Sequence, residues 1–274
     1  MRLPEALRAE RDSFIYRSYV ALGQHSVALD EIKDSADVPV ALFGVKLLAT
    51  YLSSDDGKEG AISALRGRLA DPRYASNPTL QIIAATLFGH EDLLKDALQV
   101  IKLGTSLEHL ALSAQFYLRM DRTDLAEKQL KAMQLLDDDC ALTQLVCAWV
   151  NLHLGGSKLQ EAAYTLQELI EKFGASPLLL NGLAAAQLAA GNAQDAEKTL
   201  IDAAGASPND PNLLINMIAC ARALGKPEEF VARYVRQLRA VAPRHPWVQG
   251  LDAAESAFSR IQAQAQAVSS GLAQ

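Results

Sequence analysis

Only three cysteines occur in the 274 residues, at 140, 147 and 220, with no CxxC pair and no histidine at metal-ligating spacing. Zinc sites and disulfide frameworks need such spacing, so neither is expected. The thiols read instead as small apolar core residues in a reducing compartment such as the cytosol. The five histidines, at 25, 90, 109, 153 and 245, form no HExxH or Cys–His set. His153, at the end of a helix before "LGG", is placed to bond a last-turn carbonyl. No GxGxxG or GxxxxGKS/T loop is present to cradle phosphates, and no serine sits on a nucleophile elbow. "DDD" at 137–139 lacks the spaced acids, glycine and terminal glutamate of a calcium loop and reads as the acidic start of a helix. No catalytic, cofactor-binding or metal-binding residue is expected, and no enzymatic activity.

Positive charge is also short: 26 Lys and Arg against 32 Asp and Glu give a net charge of −6. A nucleic-acid binder needs a basic stripe, and direct attachment to anionic lipid needs a polybasic cluster; neither is present. "MRLPEALRAERDSF" is charged within every turn, which excludes a signal peptide. The longest uncharged stretch, residues 173–194, contains Pro177, Asn181, Gln187, Gly191 and Asn192. Those residues suit a buried helix of a soluble protein, not a lipid-facing span.

What is abundant is Ala and Leu. Half of the residues are hydrophobic, with few β-branched runs, a composition that favours helix over strand. A small residue followed four positions later by a large apolar one recurs along the chain. The pairs are Ala28/Ile32, Ala61/Leu65, Ala97/Ile101, Ala126/Leu130, Ala162/Leu166 and Ala196/Leu200, with a degenerate seventh at Phe230/Tyr234. Successive spacings of 33, 36, 29, 36, 34 and 34 residues match a helix-pair repeat of the tetratricopeptide (TPR) kind. The alanine lets a second helix approach the first, and the residue four further on lies on the same face.

Five residues before each small residue stands a turn residue: Gly23, Asp56, Asp92, Asp121, Ser157, Gly191 and Gly225. Glycine there takes the left-handed conformation that ends a helix, whereas Asp and Ser are expected to cap the helix that follows. Pro227 falls in the first turn of its helix. The predicted fold is all-α: a TPR-like solenoid of about seven antiparallel hairpins in a right-handed superhelix. One domain covers 1–261, and the polar tail 262–274 frays. Trp149 holds the large position of a first helix and belongs to the core, whereas Trp247 near the end of the array suits a cap.

With the repeat in place, particular segments resemble one family, the epsilon subunit of coatomer, the COPI vesicle coat. They are "ERDSFIYRSYVALG" (10–23), "LDEIK" (29–33), "AEKQLKAMQLLDDDCALTQLVCAWVNLHLGGSKLQEA" (126–162), "LLLNGLAA" (178–185), "LGKPEEF" (224–230) and "HPWV" (245–248). The resemblance runs from about residue 10 to 260 and is to plant and algal members in particular. It implies a non-catalytic coat component whose bracelet-like array wraps part of the C-terminal region of the alpha subunit, and through it joins the rest of coatomer. The coat serves Golgi-to-ER retrieval and intra-Golgi transport. The chain would then be cytoplasmic and peripheral on Golgi and COPI-vesicle membranes, without inserting in them. Family members usually begin with a further helical segment; here nine residues precede "ERDSF", which is expected to leave the first repeat incomplete.

A different function class, a co-chaperone clamp on an acidic C-terminal peptide, needs Lys, Arg and Asn at positions 2, 5, 6 and 9 of successive first helices. Those positions hold Gln144, Cys147, Ala148 and Asn151, then Leu178, Asn181, Gly182 and Ala185, then Asn212, Ile215, Asn216 and Ala219. Asparagines are present but no cation, which disfavours the clamp. On a first helix, positions 2, 5, 9, 12 and 13 face the concave groove. This selects Ala111, Gln115 and Arg119, then Cys147 and Asn151, then Asn181, Ala185 and Leu188, then Ile215 and Arg222 as the partner-binding residues. Small apolar residues with sparse amides let a partner backbone approach closely and pair its polar groups. A small-residue groove needed only for tight curvature is the structural alternative.

Overall fold

The computed structural model describes residues 4–33, 38–54 and 56–271. Residue 55 of the 55–60 link, residues 272–274 of the tail, and the first three residues ahead of the "ERDSF" segment lie outside that range. Among the described residues there are only helices, no strands. In chain order they are α1 (Glu5–Ala21), α2 (His25–Glu31), α3 (Val40–Ser53), α4 (Asp56–Leu69), α5 (Pro72–Ala75), α6 (Pro78–His90), α7 (Leu94–Ile101) and α8 (Leu107–Arg119). There follow α9 (Thr123–Leu136), α10 (Ala141–Leu154), α11 (Lys158–Phe173), α12 (Pro177–Ala189), α13 (Ala193–Ala206), α14 (Pro211–Ala223), α15 (Glu228–Val241) and α16 (Pro246–Gly271). Two compact units are formed, Met1–Val146 and Cys147–Gln274, and the division falls inside α10, not in a linker. Within the first unit α1/α2, α3/α4, α6/α7 and α8/α9 pack as hairpins; within the second, α12/α13 and α14/α15 do. The fold is all-α and TPR-like.

Local chemistry sets both ends of these helices. Several first helices open on an Asn, Ser or Asp cap followed by proline. Asn77 accepts from the Leu80 N–H at 3.0 Å, and Asp210 accepts from the N–H groups of Asn212 and Leu213 at 2.8 and 3.1 Å. The proline at the first helical position has no N–H to leave unpaired.

The turn inside a hairpin is a repeated device. Gly23, Asp92, Asp121, Gly191 and Gly225 all adopt positive φ, between 56° and 83°. In each case the next residue donates its N–H to the carbonyl five positions back: Gln24 to Tyr19, Leu93 to Phe88, Arg122 to Tyr117, Asn192 to Gln187 and Lys226 to Ala221. This is the hydrogen-bond signature of a Schellman helix end. Asp92 and Asp121 therefore close the helix before them and do not cap the one after, correcting the capping role read from their residue type. Ser157 makes no capping hydrogen bond either, and Gly155 and Gly156 supply the positive φ at that turn. Asp56 is the first residue of α4, where its charge suits the helix dipole.

Six alanines form the spine of the packing. Ala28, Ala61, Ala97, Ala126, Ala162 and Ala196 are each 3% exposed or less, and Ile32, Leu65, Ile101, Leu130, Leu166 and Leu200 are buried beside them. The seventh unit departs from the spacing. Phe230 is 42% exposed, and Val231 takes the buried position one residue later. The cause is Pro227, which stands as the extended N-cap of α15 at ψ 144° and not inside its first turn. α15 thus starts three residues after Gly225, whereas α13 starts two after Gly191, and its buried row moves on by one residue.

The uncharged stretch 173–194 resolves into the last residue of α11, a link, the 13-residue α12, whose Leu179, Leu183, Ala184 and Ala186 are buried, a turn and the start of α13. No described helix is long and apolar enough to cross a membrane. Beyond Ile261, where the apolar stripe stops, α16 runs on to Gly271; residues 258–266 are all exposed.

Candidate partner-binding face

First helices bury one row of side chains against their second helices and leave a neighbouring row between core and solvent. In the second unit, α12 shows this clearly: with Leu179, Leu183, Ala184 and Ala186 buried, Asn181, Ala185 and Leu188 are half-buried beside them. On α14, Leu213, Leu214, Ile218, Cys220 and Ala221 are buried, Ile215 is half-buried and Arg222 is exposed. Leu188 also packs on the Ala196–Leu200 cluster, and Ile215 on the cluster around Leu214 and Val231. Asn181 Oδ1 accepts from Asn216 Nδ2 at 2.8 Å, so successive first helices are tied by an amide pair on this face. Asn216 belongs to the clamp pattern and not to the groove pattern; its signal in the sequence is an asparagine recurring about one repeat after Asn181. Arg222 pairs with Glu228 at 2.8 Å.

On α10, Asn151 is buried and its Nδ2 reaches Cys147 Sγ at 3.7 Å; Cys147 is half-buried. These two residues occupy one another across a single helical turn. Of the three thiols only Cys220 is fully buried, donating to the Ala193 carbonyl at 3.3 Å, and burial raises its pKa. His153 Nδ1 lies 2.9 Å from the Trp149 carbonyl, the last-turn bond its sequence position suggests.

In the first unit the three selected positions on α8 differ from one another. Ala111 is buried and Gln115 is exposed. Arg119 is exposed but engaged: Nη1 donates to the Gly89 carbonyl at 2.7 Å and Nη2 to Asp92 Oδ1 at 2.9 Å. It thus braces the α6–α7 turn, closing the carbonyl end of α6 and neutralising the aspartate that bends the chain.

One polar cluster of this unit was not legible in the sequence. His109 is 2% exposed, with Nδ1 2.6 Å from Ser106 Oγ and Nε2 3.1 Å from Gln81 Oε1. Gln81 in turn donates to the Ala75 carbonyl at 2.7 Å. The neutral ring with its proton on Nε2 satisfies every partner, accepting from Ser106 and donating to Gln81, and burial lowers the pKa of His109 accordingly. A Cβ on Gly104 would lie 2.0 Å from the imidazole, so the ring takes the space a side chain would need. This network pins the α7–α8 link to α6.

The family model for the coatomer epsilon subunit matches residues 3–266 of the chain. The chain is 45% identical over 258 residues to coatomer subunit epsilon-2 of Oryza sativa subsp. indica, covering 94% of this chain and 85% of that protein. It is 41% identical over 251 residues to coatomer subunit epsilon-1 of Arabidopsis thaliana, covering 92% and 84% respectively. Among solved structures, a tetratricopeptide repeat protein from Parabacteroides merdae superposes with a TM-score of 0.66 at 14% identity, over 89% of this chain and 96% of that one. At that identity the likeness shows the fold alone.

Proposed function

The chain belongs to the coatomer epsilon subunit family, and we propose that within the COPI vesicle coat it is a non-catalytic structural subunit that holds the C-terminal region of coatomer alpha. In that role it supports Golgi-to-ER retrieval and intra-Golgi transport, from the cytoplasmic side of Golgi and COPI-vesicle membranes and only through the assembled complex.

The observation that carries this reading of the partner is the half-buried row on α12 and α14. Ala185 offers close approach, and the Asn181–Asn216 pair keeps polar groups at hand without spending all of their hydrogen-bonding capacity. Half-buried Cys147 on α10 is a proposed contact of the same unit, and Gln115 and Arg119 on α8 are proposed contacts of the first unit, whereas Asn151 and Ala111 are buried and are not available to a partner. A face of this kind binds backbone and small side chains.

Ala185→Glu tests the reading. A half-buried alanine replaced by a carboxylate places an unpaired charge where the bound segment would exclude water. The variant should keep its helical circular dichroism and lose at least about tenfold in affinity for a C-terminal fragment of coatomer alpha, about 1.4 kcal/mol. Wild-type affinity in isothermal titration would mean that the partner does not occupy this face.

A further inference from the structure

α16 begins as the first helix of a further hairpin would: Val248 is buried with Leu214 and Leu238 against the α14–α15 layer. It does not continue as one. Along α14, the residues that pack on α13 include Leu213, Cys220 and, less buried, Met217. One repeat later, α16 carries Asp252 and Glu255 on the side facing α15, and both carboxylates take the Arg239 guanidinium, at 2.6 and 2.8 Å. Polar contact here replaces apolar packing.

A cleft of about 450 Å³ opens where α14, α15 and α16 meet. Its floor is apolar, made by Ile218, Val231, Val235, Trp247 and Leu251. Its rim is basic and unevenly matched. Arg222 is paired with Glu228 and Arg239 with Asp252 and Glu255. Arg236, exposed on the same rim, makes only a 3.3 Å bond to the Ala232 carbonyl of its own helix and forms no ion pair among the described residues. The surrounding segment is positive in a negative chain: residues 222–260 hold seven Lys and Arg against four Asp and Glu, whereas the whole chain is −6.

We propose that this cleft anchors one large apolar side chain of the bound partner segment, and that a carboxylate next to it in the partner pairs with Arg236. The volume falls in the range of about 300–1,000 Å³ that encloses ligand groups, and aromatic anchors in dry pockets dominate interface energies. A guanidinium at the edge of such a pocket recognises a carboxylate in a fixed, bidentate geometry. The partner is the coatomer alpha segment of the proposed function, on which this inference rests. What it adds is the anchor point and the chemistry of the residues that enter it.

The test uses the full chain and the C-terminal fragment of coatomer alpha. Arg236→Glu, on an exposed residue, should fold normally and lower affinity at least tenfold, whereas Arg236→Lys should lose less. In a Trp149→Phe background Trp247 is the only tryptophan, and its emission should shift as the fragment binds. If Arg236→Glu binds as tightly as the unmodified chain and Trp247 emission stays constant while Ala185→Glu is weakened, the cleft is not the anchor and the partner reading stands. If the unmodified chain does not bind the fragment, both fall. A dimer of the chain alone that Arg236→Glu dissociates would give the cleft to a second copy and overturn the proposal.

Discussion

At Asp92 and Asp121 the backbone stands at φ 58° and 56°, a conformation that Gly23, Gly191 and Gly225 adopt in other hairpins. For an ordinary L-residue the left-handed region costs about 1–2 kcal/mol, and aspartate reduces this by local hydrogen bonding of its short side chain. Asp92 gains further from Arg119, which also caps the Gly89 carbonyl. At Gly191 the cost can be isolated, because an added Cβ would meet nothing within 4 Å. Gly191→Ala should therefore destabilise by about 1–2 kcal/mol through the backbone alone, with Gly191→Asn recovering part of the loss. Urea unfolding measures both; an alanine variant as stable as the parent would show that the turn does not need positive φ. Glycine turns of this kind were readable in the sequence, because the residue type implies the conformation. Asp92 and Asp121 were not, since aspartate is equally good at opening a helix, and only the hydrogen bonds from Leu93 to Phe88 and from Arg122 to Tyr117 distinguish the two uses.

Between elements, the alanine spine sets how closely two helices approach. Ala196 is fully buried among Ala184, Leu200, Ala203, Leu213 and Cys220, with contributions from three successive helices. Ala196→Leu should cost about 1–3 kcal/mol, because a contact built on a methyl group must separate or distort to admit an isobutyl side chain. An unchanged unfolding midpoint would remove Ala196 from the inter-helix contact. Periodicity located six of these positions because burial at i and i+4 leaves a direct trace in the sequence. It missed the seventh by one residue, since a single proline changes where α15 begins and the spacing rule carries no allowance for turn length. The partner face is less legible for a related reason. Half-buried rows are selected by what the neighbouring helix covers, so Ala111 and Asn151 meet the same positional rule as Gln115 yet are buried. The basic cleft at α14–α16 left no periodic trace at all, because it arises where the repeat stops being followed.

For the molecule as a whole, stability in a stacked-repeat fold is a sum of contacts between neighbours, so a segment contributes only as far as it touches the next layer. α16 meets this condition at Val248 and Trp247, which pack with Leu214 and Leu238, and at the Arg239 clasp on Asp252 and Glu255. Further along, Phe258 and Ile261 are 69% and 64% exposed, and residues 262–266 are exposed throughout. Short helical extensions in water gain little from their own hydrogen bonds without an apolar face to bury. Deleting residues 262–274 should thus change the unfolding free energy by less than about 0.5 kcal/mol, the scale of surface changes away from packed features. It should still remove a measurable part of the 222 nm ellipticity, because α16 is helical to Gly271. A deletion that lowered the unfolding midpoint by several degrees would place the tail within the packed array and move the boundary of the folded domain beyond residue 261.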